Sequence, residues 1–350
     1  MKNKLVSWAA FIVLMSAGSA AVAYHTHGRW YNNEATLRAH AGSFPAGSAW
    51  RSALRTVAGL FNKNPSEFRI IQRYDDASVG LENGQSEVWF SNDPAYDPAW
   101  TFWWYNAGGY IVEADVIFYS GESYTTSMQK HNLWAYGGPD RPFQTTALHE
   151  YGHVAGLKHE NQEYNLMGID YTHINANGYT AHGYVGEDAS HGLVKLYTHK
   201  DGISIENVGV TLFKWTGVDG EYSVHGKCTM TSGGVELTYT NYTGQRRYDV
   251  NRGQSVRVWF TYENSGETTQ TVKIGYYIST DAYVTTADRL IDTRTFVQQC
   301  NNVDTRYVTL TIPADLVPGT TYRLGAIVDY DGSIKEVDEQ NTASHIILVH

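Results

Sequence analysis

The chain has 350 residues, 42% hydrophobic and 18% charged, with a formal net charge of -10. That length sets a prior of about two domains, and the composition is too apolar for disorder. With 33 Gly, 26 Tyr and 10 Trp it reads as rich in strands and turns. Coiled coil and collagen are excluded. The acidic balance, without a Lys/Arg block, argues against nucleic-acid or anionic-membrane partners, and two cysteines exclude a disulfide-dense scaffold or a cysteine-based zinc ribbon.

Lys2 and Lys4 precede the apolar run Leu5 to Met15, and small residues end at Ala21-Val22-Ala23. Residues 1–23 therefore read as a signal peptide cleaved after Ala23, the alternative being an uncleaved anchor. The expected location is secreted or extracellular, through bacterial-type export, with no membrane span in the mature chain. Export permits a disulfide between Cys228 and Cys300, worth about 4 kcal/mol through the unfolded state; two free thiols are the alternative.

After Tyr24, Ala35–His40 reads as a short strand. Trp50, Leu54, Val57, Leu60 and Phe61 recur at helical spacing, so Ala49–Asn62 reads as an amphipathic helix with Ser48 as its cap. Strands are expected over Phe68–Gln72, Glu87–Ser91 and Tyr110–Phe118, and helices over Thr145–Gly156 and Asp188–Tyr197. This order gives an α+β class for residues 24–199, a mixed sheet with three helices. Residues 200–234 read as a connector. From 235 to 350 period-2 segments dominate: Val235–Tyr242, Val256–Tyr262, Thr271–Ser279, Tyr307–Ile312, Tyr322–Asp329 and His345–Val349. They predict an all-β, immunoglobulin-like sandwich.

The sandwich segment resembles the bacterial cell-adhesion-related (CARDB) modules. The resemblance rests on Gly275-Tyr276-Tyr277-Ile278-Ser279-Thr280-Asp281, on Ile312-Pro313 through Pro318-Gly319-Thr320, and on Glu336 to Asn341. These are turn and packing signals that leave the ligand, whether surface, protein or glycan, undefined.

His149-Glu150-Tyr151-Gly152-His153, followed by Gly156 and His159, completes H-E-x-x-H-x-x-G-x-x-H. A spacing of four puts the first two imidazoles on one helix face, and Gly156 ends the helix so that a third can meet them. Three neutral ligands leave an open position, the arrangement of one catalytic Zn2+ rather than a closed structural site. Glu150 is then the base that activates a zinc-bound water.

On these residues, with Asn165-Leu166-Met167-Gly168 as a Met-turn, the chain resembles the metzincin metallopeptidases, most closely their matrixin-like branch. The resemblance implies an α+β catalytic domain, His149, His153 and His159 as zinc ligands, Glu150 as catalytic residue, Gly156 and Met167 as structural neighbours, and a protein or peptide substrate. It extends to Ile111–Phe118, similar to the strand flanking the family's cleft, where an extended peptide binds by β-augmentation. Glu160 is an astacin-like feature, whereas the short His159–Met167 interval is matrixin-like. Tyr171 is more consistent with a structural tyrosine than with a metal-facing one, and no cysteine precedes the zinc motif to act as a switch.

Trp100, Trp103, Trp104 and Tyr105 form an aromatic cluster read as packing ahead of a substrate platform, and His173, His182 and His191 as loop histidines. Asp329, Asp331, Glu336 and Asp338, and likewise Asp281 and Asp288, lack a full calcium-loop pattern and read as turns, so a structural Ca2+ is left without motif support. The expected function is that of a secreted zinc-dependent endopeptidase. The rivals are an adhesin with an inactive zinc domain and a zinc hydrolase acting on a non-peptide amide or ester.

Overall fold

A computed structural model describes residues 24–350 apart from 137, 160–165, 169–173, 201–205, 213–226, 243–244, 265, 267, 301 and 337–340. The segment read as a signal peptide, together with Glu160, Asn165, Tyr171, His173 and Asp338, lies outside the described residues. Six strands form the first sheet: β1 (Arg29–Trp30), β2 (Glu34–His40), β3 (Arg69–Asp76), β4 (Ser86–Ser91), β5 (Ala99–Tyr105) and β6 (Tyr110–Tyr119). Strand β6 runs parallel to β1 and β4, β2 runs parallel to β3 and β4, and β5 pairs antiparallel with β6 alone. Among the described residues β5 is therefore one edge strand of the sheet and β3 the other. Ile111–Phe118, expected to flank the cleft, lies one strand inside β5.

Helix α1 (Ala49–Phe61) forms because Ser48 accepts a hydrogen bond from the Arg51 amide at 3.1 Å while Leu54, Val57, Ala58 and Phe61 bury one face. Beyond its end, Asn62 donates to and accepts from the backbone of Ile70, both at 2.8 Å, and so ties α1 to β3. Helix α2 (Phe143–Val154) is buried along all twelve residues. Its polar side chains must therefore find partners inside the protein. Thr145 and Thr146 donate to the Pro142 carbonyl, at 3.1 and 3.3 Å. Helix α3 (Glu187–Tyr197) closes this half, its Tyr197 hydroxyl donating to Ala155 O at 2.7 Å.

Phe118 is fully buried, with Phe90, Tyr124 and Phe143 at centroid distances of 5.6, 6.1 and 4.9 Å. Phe118→Ala is expected to destabilise the fold by about 3–5 kcal/mol. Denaturant titration should show a lowered midpoint at unchanged slope.

In the second half two sheets pack face to face. Ser255–Asn264 pairs with Val208–Thr211, Met230–Ser232 and Asn302–Thr311; the facing sheet runs Tyr239–Tyr242, Gln245–Val250, Thr342–Val349, Thr321–Val328, Gln270–Ser279, Arg289–Gln298. Val256, Val258, Phe260 and Tyr262 alternate into the core, and the Tyr262 and Tyr276 hydroxyls meet at 2.8 Å. Val208–Thr211 and Met230–Ser232 belong to this sandwich although they fall within the residues read as a connector. The sandwich grips the Ile174–Asn177/Thr180–Gly183 hairpin, where Asn177 donates to Val284 O at 2.9 Å and accepts from Val284 N at 2.8 Å.

Two expectations are corrected. Strands outnumber helices twenty-one to three among the described residues, so the chain is mostly β-sheet and no α+β metzincin-like catalytic domain is assigned. The strands Ala99–Tyr105, Gln245–Val250 and Arg289–Gln298, absent from the pattern reading, account for part of the difference. The Cys228–Cys300 disulfide is absent: neither cysteine is disulfide-bonded, Cys300 is exposed, and buried Cys228 lies 3.3 Å from Thr261 Oγ1. Among the described residues no helix is long and apolar enough to cross a membrane.

Candidate metal centre

His149 and His153 project from the same face of α2, and their rings meet His159 beyond the helix end. The Nε2 atom of His159 stands 3.1 Å from that of His149 and 3.0 Å from that of His153. Among the described His, Cys, Asp and Glu residues, this is the one group of three whose ligand atoms lie within 4.8 Å of one another.

Local backbone geometry brings the third ring in. Gly156 adopts φ +96°, a left-handed conformation that favours glycine. The amide of Leu157 then donates to Gly152 O at 3.0 Å and that of Gly156 to His153 O at 2.8 Å, which completes a Schellman turn. The same turn aims Leu157 O at His153 Nδ1, 2.8 Å away. Leu166 O lies 2.6 Å from His149 Nδ1. With Nδ1–H donating to a carbonyl, each of these rings turns an unprotonated Nε2 towards the cluster. Burial keeps His149 well below the usual histidine range and takes His153 down to about 3, with neighbouring imidazoles adding to both shifts. Burial also lowers His159. Neutral imidazoles with anchored outer nitrogens are the donor set that zinc takes.

Met167 packs directly against Gly152, between the two helical histidines; any side chain at Gly152 would collide with its sulfur. Leu166, through its carbonyl on His149, and Met167, against Gly152, thus both contact α2.

Glu150 sits between the ligands in sequence and is 3% exposed. Its Oε2 accepts from Thr101 Oγ1 on β5 at 2.7 Å, and burial pushes its carboxyl up to about 7. An acid tuned near neutrality can both take and return a proton. Trp103, also on β5, donates through Nε1 to His153 O at 2.7 Å and packs against His27 at 4.2 Å. A cavity of about 550 Å³ opens over the three histidines and Glu150, walled by residues 97–101, Trp103, His27 and Lys158.

The aromatic cluster divides. Trp103 faces α2, while Trp100, Phe102 and Trp104 form a ladder on the other side of β5 at 5.9 and 6.4 Å. Thr101, His27, Lys158 and Gly152 belong to the site but have no sequence signature of their own. His191 packs on Tyr24 and His182 near Tyr184, both apart from the cluster. In the sandwich, Asp329 accepts from Ser333 and Ile334 amides, Asp281 from the Tyr283 amide and Asp288 from the Thr285 amide, as turn residues do.

No protein-family model and no curated protein matches the chain. Among solved structures it is similar to a CARDB domain from Pyrococcus furiosus crystallised with di-metal ions, at 18% identity over 29% of this chain and 79% of that one, TM-score 0.23. The solution structure of that domain matches at 13% identity over 42% and 97%, TM-score 0.26. A Listeria innocua β-glucosidase in complex with isofagomine matches at 10% identity over 93% and 48%, TM-score 0.23. At these identities and TM-scores none of the three specifies an activity for this chain.

Proposed function

We propose that the chain is a secreted zinc-dependent endopeptidase with His149, His153 and His159 as ligands and Glu150 as the general base. The observation that supports this most is the convergence of three neutral imidazoles beside a buried carboxyl at the mouth of a cavity. The likeness to metzincins lies in the ligand spacing and in the Met167 turn.

Zinc bound there supplies Lewis-acid polarisation of the scissile carbonyl and acidifies water. Glu150 takes the proton of the attacking water and passes it to the leaving nitrogen, and Thr101 holds its carboxyl in place. The free edge of β5 offers unpaired backbone groups to an extended substrate, which favours a peptide over a compact ligand. The CARDB-like sandwich, in this reading, binds a surface, protein or glycan while holding the Ile174–Gly183 hairpin.

The test is elemental analysis of the purified chain together with cleavage of casein. One zinc per chain is expected, with cleavage lost on chelation and restored by added zinc. One zinc with no internal cuts in any protein or peptide would redirect the reading to a non-peptide amide or ester. A folded chain without zinc would overturn it.

A further inference from the structure

Besides Glu150 and the histidines, the wall of the cavity carries two charged side chains, Lys158 and Asp97, both exposed. Neither forms an ion pair with another described residue. Each therefore presents an uncompensated charge to whatever enters the cavity.

The two charges stand at opposite ends of β5. Asp97 lies just before Ala99, where the strand begins, and its amide donates to Pro94 O at 3.2 Å. The next residue is fixed as well, since Pro98 O accepts from the Tyr119 amide at 3.0 Å and the Tyr124 hydroxyl at 2.7 Å. At the other end the Lys158 amide donates to His25 O at 2.8 Å. Burial and the neighbouring Lys158 ammonium hold His27 below the usual histidine range, and the His27 ring packs on Trp103 at 4.2 Å. Trp103 is four residues beyond Ala99, so about 13 Å of strand separates the two ends. Thr101, midway between them, holds Glu150 at 2.7 Å. The charges thus flank the reacting position from backbone that is pinned on both sides.

A peptide added to the edge of β5 pairs best in the antiparallel sense, the more stable ladder per residue. Its N-terminal half then lies by Trp103 and Lys158, and its C-terminal half by Asp97. At about 3.4 Å per residue, each end falls about two residues from a bond placed opposite Thr101. Opposite charges at those two positions are attracted, and the same charges exchanged are repelled at both ends at once, which selects register and direction together. The chain as a whole carries a net charge of -10. Attraction of an acidic residue is therefore a local property of the Lys158 end and not of the overall field.

We infer that Lys158 and Asp97 set the substrate class of this cleft: peptides with an acidic residue about two positions before the scissile bond and a basic residue about two positions after it. The inference rests on the hydrolase reading of the same site. Lys158 and Asp97 determine specificity in it, and the proton transfer stays with Glu150.

The experiment uses the zinc-loaded full chain and two fluorogenic peptides of identical composition. One has Glu as the second residue before, and Arg as the second residue after, a central apolar bond; the other has Glu and Arg exchanged. For the first, kcat/KM is expected to be at least about fivefold higher, chiefly through KM, with the gap narrowing as salt screens the charges. Lys158→Glu and Asp97→Lys should each abolish or reverse the preference, with zinc content as in the parent. Both peptides are also titrated against zinc-loaded Glu150→Gln, where tryptophan fluorescence reads binding without turnover and the same ranking is expected. Equal kcat/KM for the two peptides, preference for the exchanged one, or a preference unmoved by both substitutions would overturn the inference, and casein cleavage in the same samples would leave the hydrolase reading standing. If the parent cuts neither casein nor either peptide, the hydrolase reading falls, and the binding ranking in Glu150→Gln decides the roles of Lys158 and Asp97 by itself.

Discussion

Glu150→Gln is expected to keep one zinc per chain and to lose at least about a hundredfold in kcat. The side chain is buried under β5 and its Oε2 accepts from Thr101 at 2.7 Å. Glutamine has the same shape, and its carbonyl oxygen can accept the same bond, so the packing of α2 against the sheet is retained. What it lacks is a carboxylate able to receive a proton from water and release it to a leaving nitrogen. The loss should therefore appear in kcat, with zinc content and Tm close to those of the parent chain. KM should change little, because in the proposed mechanism Glu150 acts on the proton and β5, not Glu150, holds the substrate backbone. Cleavage at the parental rate by a zinc-loaded variant would remove Glu150 from the mechanism. Equal loss of zinc and activity would instead make it a structural support for the ligands.

The three histidines that converge were legible in the sequence because they are local. Helical periodicity alone places His149 and His153 on one face, and one glycine after the helix turns His159 back towards them. The supports are less legible because they come from distant chain. Leu166 O reaches His149 across 17 residues and Thr101 reaches Glu150 across 49. Neither a carbonyl nor a threonine advertises such a role. Strand β5 escaped the pattern reading because Trp100 to Tyr105, apart from Thr101 before Phe102, is an unbroken aromatic run without the period-2 alternation of a half-buried strand. The fold class misled for a related reason. Three helices with clear signals were weighed against strands whose signals were weak, among them β5. The cysteine pairing failed because parity and an oxidising compartment say nothing about distance, and Cys228 is occupied inside the sandwich core by Thr261.

Gly156→Ala is expected to weaken zinc binding by at least about a hundredfold and to destabilise the fold by about 1–3 kcal/mol or more. Two costs act at one atom. At φ +96° an alanine Cβ is strained against its own backbone, and in this structure it would also collide with Gly28 O. Backbone rather than a flexible side chain occupies that space, so relief requires one of the two segments to move. Either movement bears on the metal centre. The His27 amide donates to Gly156 O at 2.7 Å and the Lys158 amide to His25 O at 2.8 Å, so displacing the turn separates it from the N-terminal segment that borders the cavity. Displacing it also withdraws Leu157 O from His153 Nδ1 and shifts His159, which follows two residues later. Two of the three ligands thus lose their positions through one added methyl group. Zinc competition with a chromophoric chelator reads the affinity, and denaturant titration of the metal-free proteins separates it from stability. Gly59→Ala is the control: Gly59 is helical and its Cβ position is open space, so that variant should hold zinc as tightly as the parent. Parental zinc affinity in Gly156→Ala would mean that the third ligand reaches the metal without this turn, and the geometric account of the centre would fall with it.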